Sequence, residues 1–182
     1  HQVLPKSNQW EQHCRQVCQK IGVEFRSHRL PVDFDRAGGR EKVLREARYA
    51  WFKSVMNSGD VLATAHHLDD QVETVLFRLF RGSGVRGLAG ISPVRKWGKG
   101  ELYRPFRDLW RSDILAFAEH HHLEWVEDES NRDESFDRNF LRERLMPILR
   151  SRWPGSPAAI ARASCHLAAT ETLLEQIGSE DL

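Results

Sequence analysis

Apolar and polar residues alternate along this chain in two different periods, and each change of period marks the edge of an element. Trp10, Cys14, Val17, Cys18 and Ile21 recur at helical spacing, so residues 8–21 read as a helix with those five side chains on its buried face. "VEFRSHRLPV" (Val23–Val32) alternates as a strand does, and "DRAGGR" (Asp35–Arg40) reads as a loop punctuated by two glycines. Residues 41–56 form a second helical pattern, with Val43, Ala47, Ala50 and Trp51 inward. "VLATA" (Val61–Ala65) is short and apolar throughout, as expected of a buried parallel strand. From Asp69 to Phe80, Val72, Val75, Leu76, Leu79 and Phe80 make a strong helical stripe.

"RGSGVRGLAG" (Arg81–Gly90) is a glycine-rich loop, and "RKWGKGELYR" (Arg95–Arg104) reads as a hairpin. Ser112 is placed to cap a helix running to about His121. "LEWVED" (Leu123–Asp128) reads as a strand and "ESNRDESFD" as a polar loop. Leu141, Leu145, Ile148 and Leu149 mark another helix, interrupted or restarted at Pro147. "RWPGSP" (Arg152–Pro157) is the best linker, and a last helix follows it. Helices alternating with strands predict an α/β fold on a parallel sheet, with a domain over 1–150 and the start of a second over 151–182.

Length and charge add limits. A chain of 182 residues buries roughly 70% of its unfolded surface and needs no disulfide or metal to fold. Three cysteines are an odd, sparse set that suits a reducing compartment. No run approaches the ~20 apolar residues of a membrane span, so no membrane partner is expected. A net charge of +1 is uninformative, but its distribution is not. Between Arg78 and Arg111 nine basic residues face two acidic ones, Glu101 and Asp108, with Trp97, Tyr103, Phe106 and Trp110 interleaved. That mixture suits RNA backbone contact and base stacking, although a charge run is usually a solvated face. The chain opens on His1 rather than Met, and its last apolar stripe runs almost to Leu182, so continuation at both ends is expected.

The densest chemistry lies in "ATAHHLDDQVET" (Ala63–Thr74), where a strand end feeds a helix start. Ligands of open α/β sheets bind beyond the carboxyl ends of strands. Asp69, Asp70 and Glu73 fall beside the apolar stripe in the first turn of the helix. Helix capping and the helix dipole account for one of these acids, or two. Three in one turn repel one another and invite a cation, magnesium or an amine. Zinc on His66 and His67 is disfavoured, because adjacent strand residues point to opposite faces.

"ATAHHLDDQVETVLFRLFRGSGVRGLAGI" resembles the second signature of the PP-loop ATPases that modify tRNA. "VEDESNRDESFDRNFLRERLMPIL" (Val126–Leu149), "LYRPFRDLWRSDI" and "REARYAWF" are similar to further segments of one branch, the tRNA(Ile)-lysidine synthetase family. The resemblance implies a Rossmann-like PP-loop sheet, here truncated at its N-terminus. The family's S-G-G-x-D-S phosphate loop has no counterpart in these 182 residues.

The resemblance also implies ATP and Mg2+ as cofactors, with lysine and an isoleucine tRNA bearing a CAU anticodon as partners. It implies adenylation of the wobble cytidine followed by attack of the lysine amine, in the cytoplasm, and it leaves room for a homodimer. Carried onto this chain, His66, Asp70 and Arg138 are catalytic, with His66 and Arg138 also facing ATP. Asp69, Asp70 and Glu73 hold lysine, and Arg81, Arg86 and Arg104 contact tRNA. Taken alone, Arg138 reads as a surface partner of Asp137 or Glu134. Two other readings stay open: a sulfur-transferring relative of 2-thiocytidine type, disfavoured by the absence of C-x-x-C, and a non-catalytic tRNA-binding domain.

Overall fold

The computed structural model describes residues 7–30, 40–128, 131 and 133–180. It divides into two compact units, residues 1–57 and 58–182.

The first unit contains α1 (Ser7–Lys20) and α2 (Arg40–Val55). Both helices match their periodicity, yet α1 does not bury the face it carries. Cys14 is exposed, Cys18 is half-buried, and Val17 and Ile21 are 40% and 65% exposed. Val43 of α2 is buried, whereas Ala50 is exposed. Residues 23–30 are irregular and belong to no sheet, which corrects the expected strand over Val23–Val32, whose last two residues lie outside the described ones. A strand is defined by its ladder, and alternation alone supplies no partner. The loop expected at Asp35–Arg40 also falls outside the described residues, apart from Arg40, which opens α2.

The second unit is built on a small sheet of order β1-β3-β2. β1 (Val61–Ala63) runs parallel to β3 (Gly100–Tyr103), with Leu62 opposite Leu102. β2 (Val94–Trp97) runs antiparallel to β3. The expected hairpin is therefore present, with Gly98 at φ +61° in the first position of its tight turn, where a II′ turn needs a residue of positive φ. The α/β class holds, but the sheet among the described residues is mixed rather than all parallel. β1 is an edge strand, and Val61 is 58% exposed rather than buried.

α3 (Leu68–Leu79) is the centre of the unit. Val72 and Leu76 pack with Leu141, Met146 and Ala161, and Leu68, Phe77, Trp110 and Leu145 close around them. The short α4 (Val85–Leu88) and α5 (Arg111–His120) follow. Ser112 does not cap α5; the Asp113 carboxylate instead accepts from the Trp110 amide at 3.1 Å. The strand expected over Leu123–Asp128 is absent and that stretch is irregular.

α6 (Asp137–Phe140) runs into a π-helical segment, Leu141–Leu145, and then α7 (Met146–Arg152). The Met146 amide reaches back to the Leu141 carbonyl, the five-residue step of a π turn, so Pro147 falls in the first turn of α7 and breaks nothing. α8 (Ser156–Glu180) begins just after Pro154–Gly155. Its Ala161 and Ser164 are buried against the rest of the unit.

Candidate active site

The segment between β1 and α3 is pinned from the hairpin side. The Thr64 amide donates to the Tyr103 carbonyl, and the Leu68 amide donates to the Leu109 carbonyl at 2.8 Å. These bonds place the histidines and acids at the carboxyl end of β1. His66 Nδ1 lies 2.9 Å from Thr64 Oγ1. His67 sits at the N-cap of α3, and its amide donates to Asp70 Oδ2 at 2.9 Å, so Asp70 caps the helix.

The three acids have different surroundings. Asp69 is committed on both oxygens: the Arg111 amide donates to Oδ2 at 2.9 Å and Arg150 Nη2 to Oδ1 at 2.8 Å. That contact borders an open cleft of about 420 Å³ that also includes Trp110, Pro154 and Pro157. Asp70 has its cap bond and a looser approach, 3.7 Å, from Arg142 Nη2. Glu73 is 2% exposed, and Arg142 grips it through Nε at 2.7 Å and Nη2 at 2.9 Å. Burial pushes the Glu73 carboxyl above the usual range. The Arg142 bond and charge, and Arg138 more weakly, offset part of that push, while Asp70 adds to it. Burial works to lower Arg142, but Glu73 and Asp70 outweigh it and hold the guanidinium more firmly charged. Glu73 is therefore the buried counter-ion of Arg142.

Arg138 and Arg142 approach the same side of α3. Arg138 Nη2 lies 3.5 Å from Thr74 Oγ1, next to Glu73 in sequence. Glu134, one of the partners considered for Arg138, instead accepts from Arg144 at 2.9 Å. Sequence reasoning assigned no role to Arg142. The quoted segment Val126–Leu149 contains it, but nothing local pairs it with an acid 69 residues away.

The residues expected to touch RNA separate sharply. Arg81 is exposed, its guanidinium 4.6 Å from the Phe77 ring centroid. Arg86 has an 87% exposed side chain and a 3.3 Å ion pair with Glu171. Arg104 is buried and donates to the Ser92 carbonyl, so it fastens the hairpin and is not available to RNA. Arg107 does the same at the Ile91 carbonyl, and Arg78 holds the Gly87 and Gly90 carbonyls at 2.8 Å. Of the interleaved aromatics, Trp97 is buried and Trp110 packs on the core, leaving Tyr103 and Phe106 exposed.

Among the described residues no trio of Asp, Glu, His or Cys side chains converges as a metal site. The clustered acids are instead matched by arginines and amides, so they do not fit a magnesium cage of their own. The Arg138–Arg142 face does fit the phosphates of a nucleotide.

A strand end thus feeds an acid-lined helix start that two arginines approach. The PP-loop domain family matches residues 1–149, and the chain belongs to that family. Its full-length relatives narrow the likeness. The tRNA(Ile)-lysidine synthase of Coxiella burnetii is 43% identical over all 182 residues, which cover 40% of that protein. The enzymes of that name from Pseudomonas syringae pv. tomato and Pseudomonas aeruginosa are 44% and 43% identical, with 40% and 41% of each covered. The chain thus spans about 40% of the length of these relatives.

Proposed function

We propose that the protein carrying this chain is an ATP-dependent ligase. It joins the lysine side-chain amine to the wobble cytidine of an isoleucine tRNA with a CAU anticodon. The observation that carries this reading is the 43% identity, without a break in coverage, to proteins named tRNA(Ile)-lysidine synthase. ATP supplies the activation of the cytidine C2 oxygen; the rest falls to side chains of this chain. Asp70 keeps acceptor capacity beyond its cap bond and holds the lysine ammonium, with Asp69 beside it and Glu73 behind. His66 takes the proton the amine must lose before it attacks, since imidazole exchanges protons near neutral pH. Arg138 stabilises charge that develops on phosphate. Magnesium belongs to this reading as the ion that would neutralise charge on the phosphates.

This function places the protein in the cytoplasm, where tRNA is modified, and no described helix is long and apolar enough to cross a membrane. A homodimer is compatible with this reading. The test is to incubate the intact natural protein with ATP, labelled lysine and a CAU-anticodon isoleucine tRNA transcript. Lysine-dependent AMP release and a lysine-sized mass increase on the wobble nucleoside are expected. A protein that binds the tRNA but incorporates no lysine would overturn the assignment.

A further inference from the structure

We propose that Arg142 is a second phosphate-binding guanidinium of this site and that buried Glu73 is the residue that positions it. The inference takes the identity of the phosphate from the function above, but its geometry stands without that function. Glu73 grips Arg142 along one edge, through Nε and Nη2, in the two-point geometry that fixes a guanidinium plane. The opposite edge, carrying Nη1, has no partner among the described residues, and the side chain is 33% exposed. Arg142 is therefore buried on its anchored edge and open on the other.

Arg138, on the same helical stretch, contributes a second guanidinium beside Thr74. Asp70 lies 3.7 Å from Arg142 Nη2, the nitrogen that Glu73 also holds. A phosphate across Arg138 and Arg142 and an ammonium at Asp70 would thus meet over one pair of side chains. Such a site brings an amine and the group it displaces together. The π-helical segment carries Arg142, and insertions of this kind recur where a helix must aim a side chain at a site.

A purely structural reading explains less. A buried ion pair contributes little net stability compared with a well-packed apolar pair, so stability alone is a weak reason to bury Glu73. A structural tie also has no need of an exposed outer edge.

The phosphate has two possible sources, the nucleotide and the RNA backbone. The test uses the intact natural protein with Arg142→Lys, which keeps charge but loses the fork, and the double variant Glu73→Gln/Arg142→Met. The double variant removes both charges together, so no orphan carboxylate is left to unfold the site. Three titrations are run on each: a non-hydrolysable ATP analogue by calorimetry, tRNA by filter binding over a range of salt, and lysine by steady-state KM.

In the double variant the affinity for the analogue should fall roughly 10- to 150-fold, the loss of a charge-assisted hydrogen bond. Arg142→Lys should fall between it and wild type, with tRNA affinity near normal. Loss of tRNA affinity with a flatter salt slope, and analogue binding unchanged, would support the phosphate role and assign it to the RNA backbone. A folded double variant that binds both analogue and tRNA as wild type does would overturn the proposal. Because two of the titrations need no turnover, they decide it even if lysine-dependent AMP release is never found.

Discussion

Glu73 shows how much a single residue's role depends on a distant partner. Its position beside the apolar stripe of α3 was legible from spacing alone, as was its nearness to Asp70. Its burial and its pairing with Arg142 were not, because 69 residues intervene and no local pattern registers across them. The pairing turns three like charges, which read as an invitation to an outside cation, into a set largely balanced from within. Burial, which the pairing only partly offsets, gives Glu73 a distinctive pH signature. Its carboxyl is raised in the folded protein, chiefly by burial, so the native state holds that proton more tightly than the unfolded chain does. The stability this contributes is fully present below the unfolded value, about 4.3 for a glutamate, and is lost as pH rises through the folded value. Wild type should therefore lose stability relative to Glu73→Gln from about pH 4.3 upward, and the difference should level off above the folded value. Urea midpoints of the two proteins across that range measure it. Curves that run parallel at every pH would mean Glu73 holds its ordinary affinity for the proton.

The elements that could be read from sequence are those whose determinants are local. The stripe of α3 and the Gly98 turn of the hairpin carry their own signals. The strands expected at 23–32 and 123–128 failed because alternation says which faces differ and not whether a neighbouring strand exists to bond. The π-helical segment was hidden for another reason: its apolar positions, Leu141, Leu145 and Leu149, read equally well as an uninterrupted α-helix. Least visible was Gln71, a polar residue in the middle of a helix. It is 1% exposed and joins three segments: Nε2 donates to the Ala89 carbonyl and to Ser164 Oγ, while Oε1 accepts from the Ile91 amide. Gly90 is built around it. At φ +74° a side chain is strained, and a Cβ there would collide with the Gln71 side-chain amide. Gly90→Ala should cost about 2 kcal/mol or more, from the left-handed backbone and the clash together, lowering the melting temperature by roughly 4–8 °C. Gln71→Ala should cost about 1–3 kcal/mol for each buried group it leaves unpaired. In the Gln71→Ala background the clash is gone, so Gly90→Ala should cost less than it does alone. Strict additivity in that double-mutant cycle would show that Gln71 is not what excludes a side chain at residue 90.

At the scale of the whole molecule, a net charge of +1 hides a local excess of positive charge, and the structure divides that excess into two populations. Arg78, Arg104 and Arg107 turn inward to backbone carbonyls and hold the glycine-rich loop and the hairpin in shape. Arg81, Arg86, Arg95, Lys96 and Lys99 remain outward. A count along the sequence cannot separate the two groups, because both are arginines in the same stretch; only burial does. The ion pair of Arg86 with Glu171 is no obstacle to RNA, since an exposed pair of this kind contributes at most about 1 kcal/mol and is screened by salt. If the outward group meets phosphates, each contact removed should flatten the plot of log affinity against log salt by about 0.7–0.9. Arg81→Ala with Arg86→Ala in the intact protein should then lower the slope by about 1.4–1.8, with the melting temperature unchanged. Arg104→Ala should do the reverse. It removes a buried guanidinium from the Ser92 carbonyl, so it lowers the melting temperature while the salt slope stays as in wild type. Filter binding at several salt concentrations, run beside thermal melts, separates the two behaviours. An unchanged slope in the Arg81/Arg86 double variant would show that this outward face is merely solvated and that the tRNA is held elsewhere.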